Sequence, residues 1–200
     1  MHLDTLKSGF VPPESKLVPW NQWNPGLTND ELTLGQVKET LPGANPDDIG
    51  FMVKLLENPA SPLALTGAVS LERHDCIHII LGRGLLNQDE AFVIGFTMGS
   101  AGDDLSKLEE FIFKKVARHL YPTNYRMTRK SLKAYQLGLE AAREMGTYKI
   151  YNFPFENYYH MQLSELRKML KVNAARLKQI YREEQAMLPD TKASKRLPII

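Results

Sequence analysis

Residues 71–96 have the sequence LERHDCIHIILGRGLLNQDEAFVIGF, which predicts two consecutive helices joined by a short turn. If residues 71–81 are helical, His74 and His78 lie one turn apart on the helix surface. Asp75 precedes His78 by three positions, so its side chain shares the same face. The first predicted helix therefore presents two imidazoles and a carboxylate together.

The turn between the two helices contains Gly82-Arg83-Gly84. Glycine accepts the left-handed conformation that closes the last turn of a helix, so this sequence is typical of a helix C-terminus. The second helix is expected to begin near Asn87 and to continue through the apolar residues 91–96. Its first turn favours acidic side chains, and Glu90 in that turn can face back toward the histidines.

The side chains of His74, Asp75, His78 and Glu90 form a candidate metal site. Imidazole nitrogen and carboxylate oxygen bind zinc, manganese, iron(II) and, with poorer affinity, magnesium, while the absence of thiolate argues against a structural zinc site. The alternative is a helix-surface pair together with a buried histidine that Asp75 satisfies. Glu90 follows His78 after eleven residues, and this added carboxylate favours the metal site.

Residues 73–101 resemble the signature of the ubiquinone (coenzyme Q) biosynthesis protein family, which is His-Asp-x-x-His, eleven residues and then Glu. The spacing matches without a gap. The resemblance implies that the four candidate residues are metal-binding positions and that Gly82 and Gly84 match the family's Gly-x-Gly turn. The chain departs from the pattern at Arg83, where the family commonly has tyrosine, and at Asp89, where it commonly has glycine.

A second segment near the C-terminus is similar to the same family. Phe155-Glu156 resembles the family's aromatic-acidic segment. Residues 163–170 resemble the proline-leucine, valine-arginine and leucine pattern that follows that segment in the family. The order of the two segments matches the family's order. The resemblance implies an all-α fold, a divalent metal ion as cofactor and an isoprenoid or prenylated quinone precursor as ligand. Other quinone-biosynthesis proteins, a membrane surface and a second copy of the chain are the further partners expected.

Two functions follow from these observations. In the first, the metal binds or activates the polar head of a prenylated benzenoid while apolar helix faces shelter its tail. For this function the resemblance implies decarboxylation of the ring, with or without hydroxylation. In the second, the metal only clamps a phosphate or carboxylate in a non-catalytic isoprenoid-binding scaffold. A helical HD phosphohydrolase would also use His74-Asp75, but that class needs an upstream histidine, and only His2 precedes His74.

Composition and charge are those of a globular protein of one domain. The chain has 200 residues, of which 43% are hydrophobic and 24% charged. One cysteine excludes an intramolecular disulfide, and no apolar run reaches the roughly 20 residues that span a bilayer. No targeting signal is visible at the N-terminus, so we expect a cytoplasmic protein with peripheral membrane contact.

A basic segment lies in the second half of the chain. Residues 114–149 contain nine lysines and arginines against two glutamates, which predicts a patch that attracts phosphates, carboxylates or an anionic lipid surface. The formal net charge is only +2, and no helix-turn-helix or RNP signature is present. A nucleic-acid partner is therefore not expected.

The helix signals predict an all-α, single-domain helical bundle of about six to seven helices. No stretch shows the sustained alternation of a strand, so no sheet is expected. The expected organisation is an irregular N-terminal arm at residues 1–27, a helical metal- and isoprenoid-binding domain at residues 28–188, and a C-terminal tail at residues 189–200.

Capping and breaking residues set the expected bounds of the other helices. A cap at Asp103 or Asp104 would open one helix, with Leu108, Phe111, Ile112, Ala117 and Leu120 on a single apolar stripe. An aromatic loop separates the last two helices. The expected ranges are residue 28 or 29 to 42, 46–57, 103 or 104 to 121, 128–146, and a long amphipathic helix at 163–187.

Overall fold

The fold is all-α and forms a single domain. A computed structural model describes residues 18–42, 66–119 and 127–197 of the chain. Within these ranges the prediction of a helical bundle is confirmed, and the strand-like pairing is limited to an isolated bridge between Thr33 and Gln162. The α-helices are α1 Leu34–Lys38, α2 Leu71–Leu81, α3 Asn87–Gly99, α4 Lys107–His119, α5 Arg129–Met145, α6 Leu163–Met169 and α7 Ala174–Met187. Short 3-10 turns occur at Gly102–Asp104, Ile150–Asn152, Phe155–Asn157 and Ser194–Arg196.

The predicted pair of helices around the histidines is confirmed. Helix α2 ends at Gly82, which has φ 66° and is left-handed, and whose amide donates to the carbonyls of its last turn. Helix α3 begins at Asn87, and the Asp89 carboxylate accepts from the Leu86 amide at 3.1 Å, which caps its first turn. The glycine turn thus brings the start of α3 back beside α2.

Helices α3 and α5 form the centre of the core. They pack closely because glycines lie where the helices cross: a Cβ atom at Gly95 would clash with the Tyr135 carbonyl, and one at Gly138 with the Phe92 carbonyl. Helix α5 agrees with its predicted range, since Thr128 caps its N-terminus and Gly146 closes its C-terminus. This contact fixes α3, which carries Glu90, against the longest helix described.

The first helix is shorter than predicted. Its expected start at residue 28 or 29 is wrong, because α1 begins at Leu34 behind a capping box between Thr33 and Gln36. The preceding residues pair with the chain before α6 instead: the Leu34 amide donates to the Met161 carbonyl at 3.0 Å, and the Leu163 amide to the Leu32 carbonyl at 2.9 Å. Tertiary hydrogen bonds therefore replace the first predicted turns.

The expected long helix at residues 163–187 is also wrong, because α6 and α7 are separate. Lys171 adopts a left-handed conformation with φ 57°, and the Asn173 side chain accepts from the Arg176 amide at 3.0 Å as the cap of α7. The Val172 amide donates to the Arg167 carbonyl at 2.7 Å and closes α6. Both helices contact the C-terminal end of α2, α6 through Arg167 and α7 through Tyr181.

Helix α4 starts later than predicted and turns a different face to the core. Ser106, not Asp103 or Asp104, is its cap, since Ser106 and Glu109 form a reciprocal capping box. Phe113 and Ala117 are buried. The expected apolar stripe is divided: Leu108, Phe111 and Ile112 are 66%, 57% and 42% exposed, while Leu120 lies outside the described residues.

The described part of the N-terminal arm is irregular and packs on the domain. Trp23 is buried and donates from Nε1 to the Thr40 hydroxyl at 3.0 Å, whereas Trp20 is half-exposed. In the tail, Ser194 and Leu197 are buried. The helix predicted at residues 46–57 lies outside the described residues. Across the ranges that are described, no helix has both the length and the apolar character needed to cross a bilayer.

Candidate metal centre

Helices α2 and α3 bring the side chains of His74, His78 and Glu90 together. The Nε2 atoms of the two histidines are 3.1 Å apart. Glu90 Oε2 lies 3.0 Å from Nε2 of His74, and its Oε1 lies 3.3 Å from Nε2 of His78. The sequence analysis predicted these residues as neighbours, and in the structure their ligand atoms all lie within 4.8 Å of one another.

The ring of His78 is held so that one nitrogen points into the group. Its Nδ1 atom lies 2.8 Å from the Gly84 carbonyl oxygen. Because a carbonyl oxygen only accepts, Nδ1 donates this hydrogen bond, and Nε2 faces His74 and Glu90. Metal-ligating histidines are commonly oriented by such a hydrogen bond from the other ring nitrogen.

The separations fit a common cation. An ion bound tetrahedrally through bonds of about 2.0–2.1 Å separates its ligand atoms by about 3.3 Å. The observed separations of 3.0, 3.1 and 3.3 Å are close to that spacing. Atoms that carry lone pairs repel one another at these distances unless a proton or a metal ion lies between them. The donor set therefore fits a divalent metal.

The group is open on one side. His78 is fully buried, the side chain of His74 is 13% exposed, and that of Glu90 is 35% exposed. Three protein ligands with a solvent-facing side leave room for water or a substrate, as in catalytic rather than structural sites. A small ligand can therefore approach from the side of Glu90.

Charge in the group favours an ionised Glu90. Burial by itself would raise the pKa of Glu90, but the imidazoles of His78 and His74 outweigh it and hold that pKa well below its ordinary value. Asp75, predicted as a fourth ligand, is not among the three residues whose ligand atoms converge. Burial raises the pKa of Asp75 against the opposing effect of the two imidazoles, so its carboxyl group lies within their electrostatic reach.

The C-terminal end of α2 is held by side chains from distant parts of the chain. Arg167 donates from Nε to the Ile80 carbonyl at 3.0 Å and from Nη2 to the Ile79 carbonyl at 3.3 Å. The hydroxyl of Tyr181 donates to the Leu81 carbonyl at 2.5 Å. These bonds satisfy carbonyls that a helix end leaves without partners. Arg167 belongs to the segment 163–170 that resembles the ubiquinone family, but its contact with α2 was not predicted, and Tyr181 was not predicted to contact α2 either. Both residues lie more than eighty positions from α2, so local sequence gives no sign of these contacts.

A surface cleft of about 440 Å³ lies away from the metal group, between the end of α5 and the junction of α6 with α7. Four of its lining residues are basic, and none belongs to the metal group. The lining residues are Glu144, Met145, Arg167, Lys168, Lys171, Val172, Asn173 and Arg176. Two of the four basic residues are already paired with carboxylates, Arg176 with Glu144 and Arg167 with Asp30.

His160 does not extend the metal group, because it is exposed in the loop before α6 and is not among the converging residues. Among the side chains that the structure describes, the site consists of residues of the helix pair that the motif spans. Comparison of the chain with protein-family models, with curated proteins and with solved structures gives no match.

Proposed function

We propose that the protein binds a divalent metal ion through His74, His78 and Glu90 and uses it to hold the polar head of a prenylated benzenoid, a precursor of a quinone. One observation carries the metal part of this proposal. Three ligand atoms from two helices converge, and the ring of His78 is locked by the Gly84 carbonyl with Nε2 directed at the other two.

The ligand set narrows the chemistry. Two imidazoles and one carboxylate occur both in catalytic zinc sites and in iron(II) oxygenase sites. When bound, the ion would supply either Lewis-acid polarisation of a ring carboxylate or the oxygen chemistry of iron(II). The first matches decarboxylation of a prenylated hydroxybenzoate, and the second matches decarboxylation together with hydroxylation.

The residues of the chain have separate roles in this proposal. His78 is the buried ligand that sets the depth of the site, and Glu90 supplies negative charge at its open side. Asp75 is a second carboxyl group beside the imidazoles.

The prenylated nature of the ligand is supported by the resemblance of residues 73–101 to the ubiquinone family and by one exposed surface. Leu108, Phe111 and Ile112 lie on one face of α4, and the Lys115 ammonium lies 5.4 Å from the centre of the Phe111 ring. An apolar helix face bordered by lysine suits an anionic lipid surface. We propose that this face contacts the membrane from which a prenylated ligand is taken.

The test is turnover by the metal-loaded protein. Protein loaded with zinc or iron(II) is incubated with prenylated 4-hydroxybenzoate, and the product is followed by mass spectrometry. We expect loss of carbon dioxide from the ring, no reaction with His78→Ala, and full reaction with His160→Ala, which removes an exposed histidine outside the site. Equal turnover by the His78 variant would overturn the assignment of the site.

A non-catalytic scaffold remains the second candidate, because the same metal group can clamp a phosphate or carboxylate without reacting. Under this alternative the protein retains the prenylated ligand at unchanged mass, and His78→Ala releases it. If neither turnover nor retention depends on His78, both functions are contradicted.

A further inference from the structure

Asp89 lies directly before the metal ligand Glu90 and is held by two arginines. Its side chain is almost fully buried, with Oδ1 3.2 Å from Nε of Arg83 and Oδ2 3.0 Å from Nη2 of Arg196. Burial raises the pKa of Asp89, and the two guanidinium groups oppose that rise. The helix backbone continues directly from Asp89 into Glu90, so the contacts of Asp89 restrain the first turn of the helix that carries Glu90.

Arg83 connects Asp89 to residues of the other helices. It is fully buried, and its Nη1 and Nη2 each lie 2.9 Å from an oxygen of Glu184 in α7. Its guanidinium lies 4.5 Å from the ring centre of Phe92 and 4.9 Å from that of Tyr181. Arg83 also precedes Gly84, so its burial fixes the turn whose carbonyl orients His78.

Arg196 connects the same carboxylate to both ends of the described chain. Its Nη1 donates to the Asn21 carbonyl at 2.9 Å, and its own carbonyl accepts from Nδ2 of Asn24 at 2.9 Å. The described parts of the arm and of the tail therefore meet at Arg196, which itself contacts Asp89. No described residue of the arm or the tail belongs to the metal group, yet the tail contacts the residue beside one of its members.

We infer that Arg83 and Arg196 are positioning residues of the metal centre, and that the tail, through Arg196 and Asp89, sets the affinity of the site for its metal. This inference rests on the proposed metal site. Arg83 is buried in the core, where it fixes the turn that contains Gly84 and pairs with Asp89. Arg196 acts from the surface, where its side chain is 23% exposed, and can be changed with less disturbance of the fold.

The experiment compares Arg196→Gln with Arg143→Gln. Arg143 is a matched control because it is a partly exposed arginine that pairs with another carboxylate, Glu110, at 3.4 Å. Binding of zinc or cobalt(II) is measured by calorimetry on the full chain. Loss of a group that supports a metal ligand typically weakens metal binding by about 10- to 100-fold. We expect that loss for the Arg196 variant and wild-type affinity for the Arg143 variant.

Two further measurements separate positioning from a general loss of stability. Arg196→Lys keeps the charge beside Asp89 and is expected to recover most of the affinity, and ring ¹⁵N shifts of His78 are expected to show Nδ1 protonated in every variant. If affinity instead falls in proportion to the melting temperature across the three variants, the inference is overturned. If all variants bind metal as the wild type does, the role of Arg196 is overturned but the metal site is not. If the wild-type protein binds no metal, the proposed function itself is contradicted.

Discussion

Nε of Arg83 lies 3.2 Å from Oδ1 of Asp89, so the guanidinium in the turn after α2 lies beside the carboxylate that caps the first turn of α3. A buried guanidinium needs an anion, and a buried carboxylate needs a cation. Arg83 also pairs with Glu184, and Asp89 also pairs with Arg196, so these residues form one charge network. The network stabilises the turn between His78 and Glu90.

Breaking this network is expected to destabilise the protein strongly. Arg83→Met leaves the buried carboxylate of Glu184 without its cation and leaves Asp89 with Arg196 alone. Loss of one partner of a buried ion pair costs about 3–5 kcal/mol. The control is Arg176→Met, because Arg176 makes a comparable two-bond pair with Glu144 on the surface, at 2.7 and 2.9 Å. Denaturant unfolding of the metal-free protein should show a large loss only for Arg83, and equal losses would contradict the role of burial.

Metal binding is expected to weaken in acid. A metal ion binds an imidazole nitrogen only when that nitrogen carries no proton, so protons compete with the metal for Nε2 of His74 and His78, and affinity should fall as the pH is lowered. The pKa of Glu90 is held below its ordinary value, so Glu90 stays ionised in mild acid and does not contribute to the fall. Calorimetric titration with zinc at a series of pH values measures this.

The variants Glu90→Gln and His78→Ala show which ligand causes the pH dependence of metal affinity. Glu90→Gln should bind more weakly at every pH but keep the same shape of the pH profile, whereas His78→Ala should bind metal weakly throughout. A wild-type affinity independent of pH would show that the imidazoles are not ligands.

The close contact of α3 and α5 makes Gly138 intolerant of any side chain. Alanine normally stabilises a helix interior by about 1 kcal/mol relative to glycine. In Gly138→Ala, however, the added methyl group meets the Phe92 backbone carbonyl, and we expect a net loss of more than about 3 kcal/mol. Gly146→Ala is the control, since its added Cβ meets no atom within 4 Å and costs only backbone strain of about 1 kcal/mol. Comparable melting temperatures would contradict the close crossing.

The exposed face of α4 is expected to bind anionic membranes. Phe111→Ser removes an aromatic side chain whose burial is worth about 1.5–3 kcal/mol, so binding to phosphatidylglycerol vesicles should weaken by about tenfold or more. Met187→Ser is the control, because Met187 is an exposed apolar residue at the far end of α7. Sedimentation with vesicles measures the bound fraction. If both variants sediment as the wild type does, this face is not the membrane contact.

Much of the helix pair around the motif was predictable because its determinants are local. The spacing of His74 and His78, the glycine that ends α2 and the acidic first turn of α3 all act within a few residues. The same reasoning failed where distant partners intervene. Asn173 caps a new helix inside the expected long one, and hydrogen bonds to the segment before α6 delay the start of α1. The exposed face of α4 could not be foreseen, since periodicity shows that a helix has an apolar stripe but not what covers it.

The sequence by itself determined the helical class of the fold, both ends of α2 and α5, the start of α3, and the placing of His74, His78 and Glu90 within reach of one another. These features follow from helix geometry and capping, which need only neighbouring residues. Only the tertiary structure decided which nitrogen of His78 faces the site, because the Gly84 carbonyl selects it. It alone also decided which groups hold the site in place, because Arg83, Arg167 and Arg196 reach partners far along the chain.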